Sequence, residues 1–136
     1  INKKKYKILP CYFFMKPISE KPLFLDMIAA AAFEAYRDGV KLAQVNKLLE
    51  MLESLQSIDR LLVFLAYQVA RGQWGRGTSA RRLYNILKNC KNIEDAREVL
   101  TLFKWLYETC ARKRPRMHSP SPEPKGFFEK LLENVL

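Results

Sequence analysis

Hydrophobic residues recur at helical spacing over most of the chain between residues 23 and 112. In Leu42–Leu55 the apolar residues fall on one stripe and the charged residues fall elsewhere. Ile93–Arg112 carries the longest regular pattern of this kind. The same spacing predicts three further helices at Leu23–Asp38, Ile58–Gln73 and about Ala80–Lys88. Strand patterns are nearly absent, so the sequence predicts an all-α fold, a compact bundle of about five helices.

The predicted helix Ile58–Gln73 is almost entirely apolar, and Gln68 is the one polar residue between Leu61 and Ala70. A helix that is apolar on nearly all sides usually lies inside a bundle. We therefore expect it to form the centre of the fold. Ser57 stands directly before it, where a hydroxyl accepts a hydrogen bond from a first-turn N–H group.

Two other predicted helices begin beside residues of the capping type. Asn92 precedes the helix Ile93–Arg112, and its side-chain oxygen suits an N-terminal cap. Thr78 or Ser79 is expected to cap the helix that starts near Ala80. These assignments depend on the same physical need, because the first N–H groups of a helix have no partner within it.

The composition divides the chain into four segments: a basic and aromatic arm (1–22), the helical bundle (23–112), a basic, proline-rich linker (113–125) and a short amphipathic helix (126–136). A free helix of this length is marginal in water, so the last segment must dock on something. Its own bundle and a groove on a partner protein both remain open. The predicted docking residues are Phe127, Phe128, Leu131, Leu132 and Val135.

The positive charge is unevenly distributed along the chain. The net charge is +10, and between residues 58 and 92 Asp59 is the only acid among seven Lys and Arg. Segregated positive charge is typical of proteins that meet a polyanion, most often nucleic acid. Simple solubility and a Lys- and Arg-rich source proteome are the alternatives.

A glycine-punctuated loop, Gly72–Gly77, is expected to present much of this charge beside the start of the next helix. Cations there would neutralise phosphates, and an exposed indole would stack on an unpaired base. The competing interpretations are an indole that closes the end of the bundle, and arginines that pair with acids or with another subunit. The predicted nucleic-acid contacts are Arg71, Arg76, Arg81, Arg82, Lys88, Lys91 and Trp74.

Signatures of catalysis are missing from the sequence. The only histidine, His118, lies in the linker, and no nucleophile has a positioned base. Cys11, Cys90 and Cys110 are far apart and lack metal-ligand spacing, and Gly72–Gly77 is not a P-loop. We therefore expect no enzyme activity, no catalytic residue, no metal and no cofactor; an enzyme that uses only Asp, Glu, Lys or Tyr is the alternative that stays open. No run is long enough to span a membrane, and the cysteine usage favours a cytoplasmic protein.

The motif LAYQVARG resembles the end of the central helix in small subunits of CRISPR interference complexes. Leu65, Ala66 and Tyr67, followed by Ala70 and Arg71, are similar to the pattern in type III effectors, and the size and charge also suit Cascade-like small subunits. The resemblance covers about residues 23–112. Within it, only Tyr67 and Arg71 match by position.

The resemblance implies a non-catalytic subunit of a multi-protein antiviral complex. Self-stacking copies would hold a guide RNA, a guide–target heteroduplex or a displaced single strand by its backbone, while base pairing reads the sequence. Two other classes stay open. One is a helix-turn-helix DNA-binding regulator, and the other is a protein-binding adaptor that uses the C-terminal helix.

Overall fold

A computed structural model describes residues 23–136, and all regular secondary structure in this part of the chain is helical. The prediction of an all-α fold is confirmed. The basic and aromatic arm, residues 1–22, lies outside the described residues. None of the described helices offers the apolar length that crossing a lipid bilayer requires. The six helices are α1 (Phe24–Arg37), α2 (Leu42–Leu55), α3 (Ile58–Ala70), α4 (Thr78–Leu87), α5 (Ile93–Lys113) and α6 (Phe127–Val135).

The centre of the bundle is α1, which packs against α4, α5 and α6. Its four consecutive alanines, Ala29–Ala32, are fully buried. Small side chains let neighbouring helices approach the α1 backbone closely, because the distance between helix axes depends on the side chains at the contact. One side of α1 belongs to the main core, while Phe33 belongs to a second apolar cluster with Cys110 of α5. Burial on two sides makes α1 the helix on which α4, α5 and α6 pack.

The prediction that the third helix forms the centre is wrong. In α3, Leu61 and Leu65 face the core, but Val63 is 71% exposed and Tyr67 is 53% exposed. This helix lies at an edge of the bundle, where it packs mainly against α2 and α4. The apolar residues of α3 occur on nearly all sides of the helix, so their pattern alone does not indicate which side faces the core.

The predicted caps of two helices are confirmed. The Ser57 hydroxyl accepts a hydrogen bond from the Arg60 N–H at 3.2 Å, and Asn92 Oδ1 accepts one from the Asp95 N–H at 2.8 Å. The cap predicted for α4 is wrong, because that helix begins at Thr78 with Gly77 as its N-terminal cap. Gly77 has a φ of 84°, a conformation that costs glycine little.

Between α5 and α6 the chain is irregular and lies against the bundle. Pro115 and Pro124 are buried. Arg37 donates a hydrogen bond to the Ser119 hydroxyl at 2.7 Å, which ties the segment to the end of α1. The proline-rich stretch is therefore part of the packed domain.

The C-terminal helix docks on this chain itself. Asp26, in the first turn of α1, accepts hydrogen bonds from the N–H groups of Gly126 at 3.0 Å and Phe128 at 2.9 Å. Phe127 and Leu131 are buried in the second cluster with Phe33. The sequence left open whether this helix docks on its own bundle or on a partner protein. In the structure α6 docks on its own bundle.

Candidate nucleic-acid interface

The loop between α3 and α4 is held by a buried hydrogen bond. The Trp74 indole N–H donates to Gln68 Oε1 at 2.9 Å, and Gln68 Nε2 donates to Gln44 Oε1 at 3.2 Å. The one polar residue in the apolar run of α3 thus satisfies a buried indole and connects α3 to α2. Gly75 passes so close to Asp38 that a Cβ there would lie 3.0 Å from the Asp38 Cβ.

Trp74 is not available to a base. Its side chain is fully buried, and its ring packs against Phe103 with the ring centroids 6.1 Å apart. The prediction of Trp74 as a nucleic-acid contact is wrong. The buried position agrees with the alternative interpretation, in which the indole closes the end of the bundle. The loop folds its largest apolar side chain inward because that burial stabilises the domain.

Arg82 is also occupied within the fold. Its Nε donates to Glu34 Oε1 at 2.5 Å, and its terminal nitrogen donates to the carbonyl oxygens of Pro120 at 3.1 Å and Ser121 at 2.7 Å. The side chains of Arg82 and Glu34 are each 13% exposed. The structure therefore disfavours the prediction of Arg82 as a phosphate contact, because Glu34 neutralises its charge, and its Nε and one terminal nitrogen donate to oxygens of this chain.

Arg76 and Arg81 line a groove between α3 and α4, which we call the α3–α4 groove. It encloses about 570 Å3, and its other lining residues are Leu62, Leu65, Ala66, Val69, Gly77, Ala80 and Tyr84. Both arginines are exposed. Within residues 23–136, neither guanidinium takes part in a hydrogen bond or an ion pair, and no acid lines the groove. The groove therefore combines two available cations with an apolar surface.

Lys88 lies on the same face of α4 as Arg81, one helical turn beyond Tyr84. Its ammonium nitrogen is 5.1 Å from the centroid of the Tyr84 ring. Lys88 and Lys91 line a neighbouring depression that shares Leu62 with the α3–α4 groove. The predicted contacts Lys88 and Lys91 therefore adjoin the arginine pair, and Tyr84 is the partly exposed aromatic residue of this face.

Arg71 does not line the α3–α4 groove. Its guanidinium stacks on Tyr67, 5.5 Å from the ring centroid, and donates a hydrogen bond to the Tyr67 hydroxyl at 2.9 Å. Tyr67 and Arg71 thus contact each other at the exposed C-terminal end of α3. Arg71 is separate from the Arg76 and Arg81 pair.

A second basic concavity was missed by the sequence reasoning. We call it the C-terminal cleft; it lies between the segment 116–125 and α6 and encloses about 610 Å3. Arg116, His118, Lys125 and Lys130 line it, together with a single acid, Glu133. The signal in the sequence was the basic run before the prolines, which reads as linker when the packing of the segment is unknown.

The predicted docking residues of α6 are mostly used within the chain. Phe127 and Leu131 are buried, while Phe128 and Val135 pack at the edge of the second cluster. Leu132 is partly exposed. A partner would therefore find little of the apolar side of α6 available.

The groups with shifted pKa values lie away from the α3–α4 groove. A hydrogen bond from Arg97 lowers the pKa of Glu53, and burial raises the pKa of Tyr107 and of Cys110. Glu50, another carboxylate of α2, forms an ion pair with Lys47 at 3.4 Å. Among residues 23–136, no three His, Cys, Asp or Glu side chains converge on a possible metal site.

Comparison of the chain with protein-family models, with curated proteins and with solved structures finds no match.

Proposed function

We propose that this chain binds the backbone of nucleic acid through the α3–α4 groove, without reading sequence. The observation that carries the proposal is the pair Arg76 and Arg81. Both guanidinium groups are exposed, neither has a partner within residues 23–136, and they line a groove that holds no acid. An unpaired guanidinium presents a planar set of donors that matches the oxygens of a phosphate.

The surroundings of the pair favour an extended polyanion. Lys88 and Lys91 continue the positive charge beyond the C-terminal end of α4. Tyr84 is 39% exposed between Lys88 and Arg81, and a partly exposed ring offers an unpaired base a surface for stacking. Contacts of this kind depend on phosphate charge and on the faces of bases, so they do not distinguish sequences.

The wider proposal is a non-catalytic subunit of an RNA-guided antiviral complex, as the resemblance of Tyr67 and Arg71 implies. In that assembly, stacked subunits hold a guide–target duplex or a displaced strand in the cytoplasm, and base pairing supplies specificity. The outer side of α3 supports a protein neighbour, because Val63 and Tyr67, one helical turn apart, leave adjoining apolar surface exposed.

The test is a titration of the chain with fluorescently labelled mixed-sequence single strands and duplexes at several salt concentrations. We expect sequence-indifferent binding that weakens steeply with salt. In R76A/R81A the slope of log affinity against log salt falls by about 1.4 for a single strand, since two phosphate contacts are lost. The matched control is K41A/R60A, which removes the same charge from exposed positions outside the groove. Circular dichroism checks that helicity is unchanged.

Other outcomes would contradict the proposal. No binding at low salt would favour the protein-binding adaptor. Burial of Phe127 and Leu131 argues against an adaptor that presents α6 to its partner. One strongly preferred duplex site would favour the regulator. Equal loss in R76A/R81A and in the control would mean that the groove is not the contact.

A further inference from the structure

We infer that a bound single strand continues from the α3–α4 groove into the C-terminal cleft, where Arg116, Lys125 and Lys130 hold further phosphates. This inference rests on the proposed function. It assigns a second binding site, with a single-stranded polynucleotide as the ligand. The site is built from residues that the sequence reasoning placed in a linker.

The two concavities are joined by a third depression between α4 and residues 122–124. Arg81 lines both the α3–α4 groove and this depression, and Pro124 lines both the depression and the C-terminal cleft. The three concavities therefore follow one another along a path from Arg76 to Lys130. A flexible strand that leaves Arg81 meets Pro122–Pro124 and then Lys125.

The charges along the path favour a polyanion. Arg116, Lys125 and Lys130 are exposed, and within the described part of the chain none of them forms an ion pair. The acids that line the three concavities are Glu123 and Glu133. Cations along the path outnumber them even without Arg82, whose charge Glu34 neutralises.

The floor of the path is fixed before a ligand arrives. Arg82 holds the carbonyl oxygens of Pro120 and Ser121, and Arg37 holds the Ser119 hydroxyl. Pro124 is buried. A site that is already ordered loses less conformational entropy when it binds.

The size of the C-terminal cleft favours a single strand over a duplex. About 610 Å3 lies within the range of small-molecule sites, which suits one or two nucleotides of a flexible chain. Met117 and Pro120 add apolar surface for a base beside the cations. A duplex is a stiff rod, so it does not bend into a cleft of this size.

The test measures affinity against strand length. Labelled single strands from about 4 to about 16 nucleotides cover the usual range of site sizes. Wild-type affinity should rise with length until the strand reaches the cleft. We expect R116A/K125A/K130A to bind the shortest strand like the wild type and to lack the gain with length. Its salt slope on the longest strand should fall by about 2.

Control variants separate charge from place. K41A/K47A/R60A removes the same number of Lys and Arg from exposed positions outside the path and should keep the gain with length. K125R/K130R keeps the charge and should keep the gain too. A cleft variant that loses no more than the charge-matched control overturns the inference. An equal loss with duplexes overturns the assignment to a single strand.

The failure of the proposed function is distinguishable. If the wild-type chain binds no strand at low salt, both proposals fail. If R76A/R81A binds like its control while the cleft variant is weakened, the α3–α4 groove is not a contact. The proposed path from the groove to the cleft then fails as well. If the cleft variant keeps the gain in affinity with strand length while R76A/R81A is weakened, the α3–α4 groove remains the contact and the inference about the C-terminal cleft fails.

Discussion

Arg82 donates a hydrogen bond from Nε to Glu34 Oε1 at 2.5 Å, and this ion pair joins α4 to α1. The same guanidinium holds the backbone at Pro120 and Ser121. One arginine thus connects the central helix, the fourth helix and the proline-rich segment. Its neighbour Arg81 is exposed and makes none of these contacts. Adjacent arginines in the sequence therefore have separate roles, one in the fold and one in the proposed contact.

Arg82→Ala should destabilise the fold. The substitution leaves the largely buried Glu34 carboxylate without its partner. It also removes the donor that bonds to the carbonyl oxygens of Pro120 and Ser121. We expect a loss of about 2–3 kcal/mol in the free energy of unfolding, measured by chemical denaturation. Arg81→Ala is the matched control and should change stability by less than about 0.5 kcal/mol. Equal effects of the two substitutions would contradict the structural role of Arg82.

A double-mutant cycle with Glu34→Ala isolates the pair. If the ion pair contributes as the geometry indicates, R82A costs much less in the E34A background than in the wild type. Arg82→Lys keeps the charge but not the forked donors, so it should fall between wild type and R82A. A coupling energy near zero would place the effect of Arg82 in its contacts with residues 120 and 121.

Two aspartate substitutions on α3 test which side of this helix faces the core. Leu65 is 3% exposed and Val63 is 71% exposed, although both belong to the same apolar run. Leu65→Asp should cost more than about 4 kcal/mol and unfold the domain, because it buries an unpaired charge. Val63→Asp should leave the circular dichroism spectrum and thermal midpoint nearly unchanged. Unfolding by both substitutions would contradict the edge position of α3.

Local signals predicted the helices well and their arrangement poorly. Periodicity predicted the bounds of α2, and the caps Ser57 and Asn92 predicted where α3 and α5 start. The position of each helix depends on packing between distant segments. The buried alanines Ala29–Ala32 made α1 the centre, whereas the more hydrophobic α3 took an edge.

The candidate site was predicted only in part for the same reason. Charge and loop composition indicated Arg76 and Arg81, which the structure brings together in one groove. The partners of Arg82 and Trp74 could not be read from local pattern, since Glu34 lies 48 residues from Arg82. The packing of residues 115–125 on the bundle carried no local signal, so the cleft beside α6 was not foreseen.

Asp26→Ala tests the docking of α6. The Asp26 carboxylate caps this helix by accepting hydrogen bonds from Gly126 and Phe128. Without it, the α6 amides should exchange hydrogen about fivefold faster, because losing such a cap costs about 1 kcal/mol. Glu129→Ala, which removes an exposed acid from the same helix end, should have a smaller effect. Unchanged exchange in D26A would show that apolar contacts alone hold α6.

Thiol labelling tests the burial of Cys110. Burial raises the pKa of this thiol from an ordinary value of 9.0 to about 12, so the reactive thiolate is scarce in the folded chain. Iodoacetamide should modify the partly exposed Cys90 well before Cys110, and denaturant should remove the difference, as peptide mass mapping would show. Rapid modification of Cys110 in the folded chain would contradict its burial.

The same shift links stability to pH. In the unfolded chain Cys110 loses its proton near its ordinary pKa, while in the folded chain it keeps the proton until about pH 12. The unfolded state therefore binds fewer protons over this interval, and the free energy of unfolding falls as the pH rises through it. Cys110→Ala should show a smaller fall, measured by denaturation at alkaline pH.

The cap that Asp26 provides joins residues that are 100 positions apart. During synthesis α1 leaves the ribosome long before α6 exists, and at ordinary translation rates the interval is about 5–20 s. For that time the nascent chain carries Ala29, Ala30 and Phe33 without the helix that covers them in the finished fold. Residues translated 100 positions after Asp26 thus close the first helix to water.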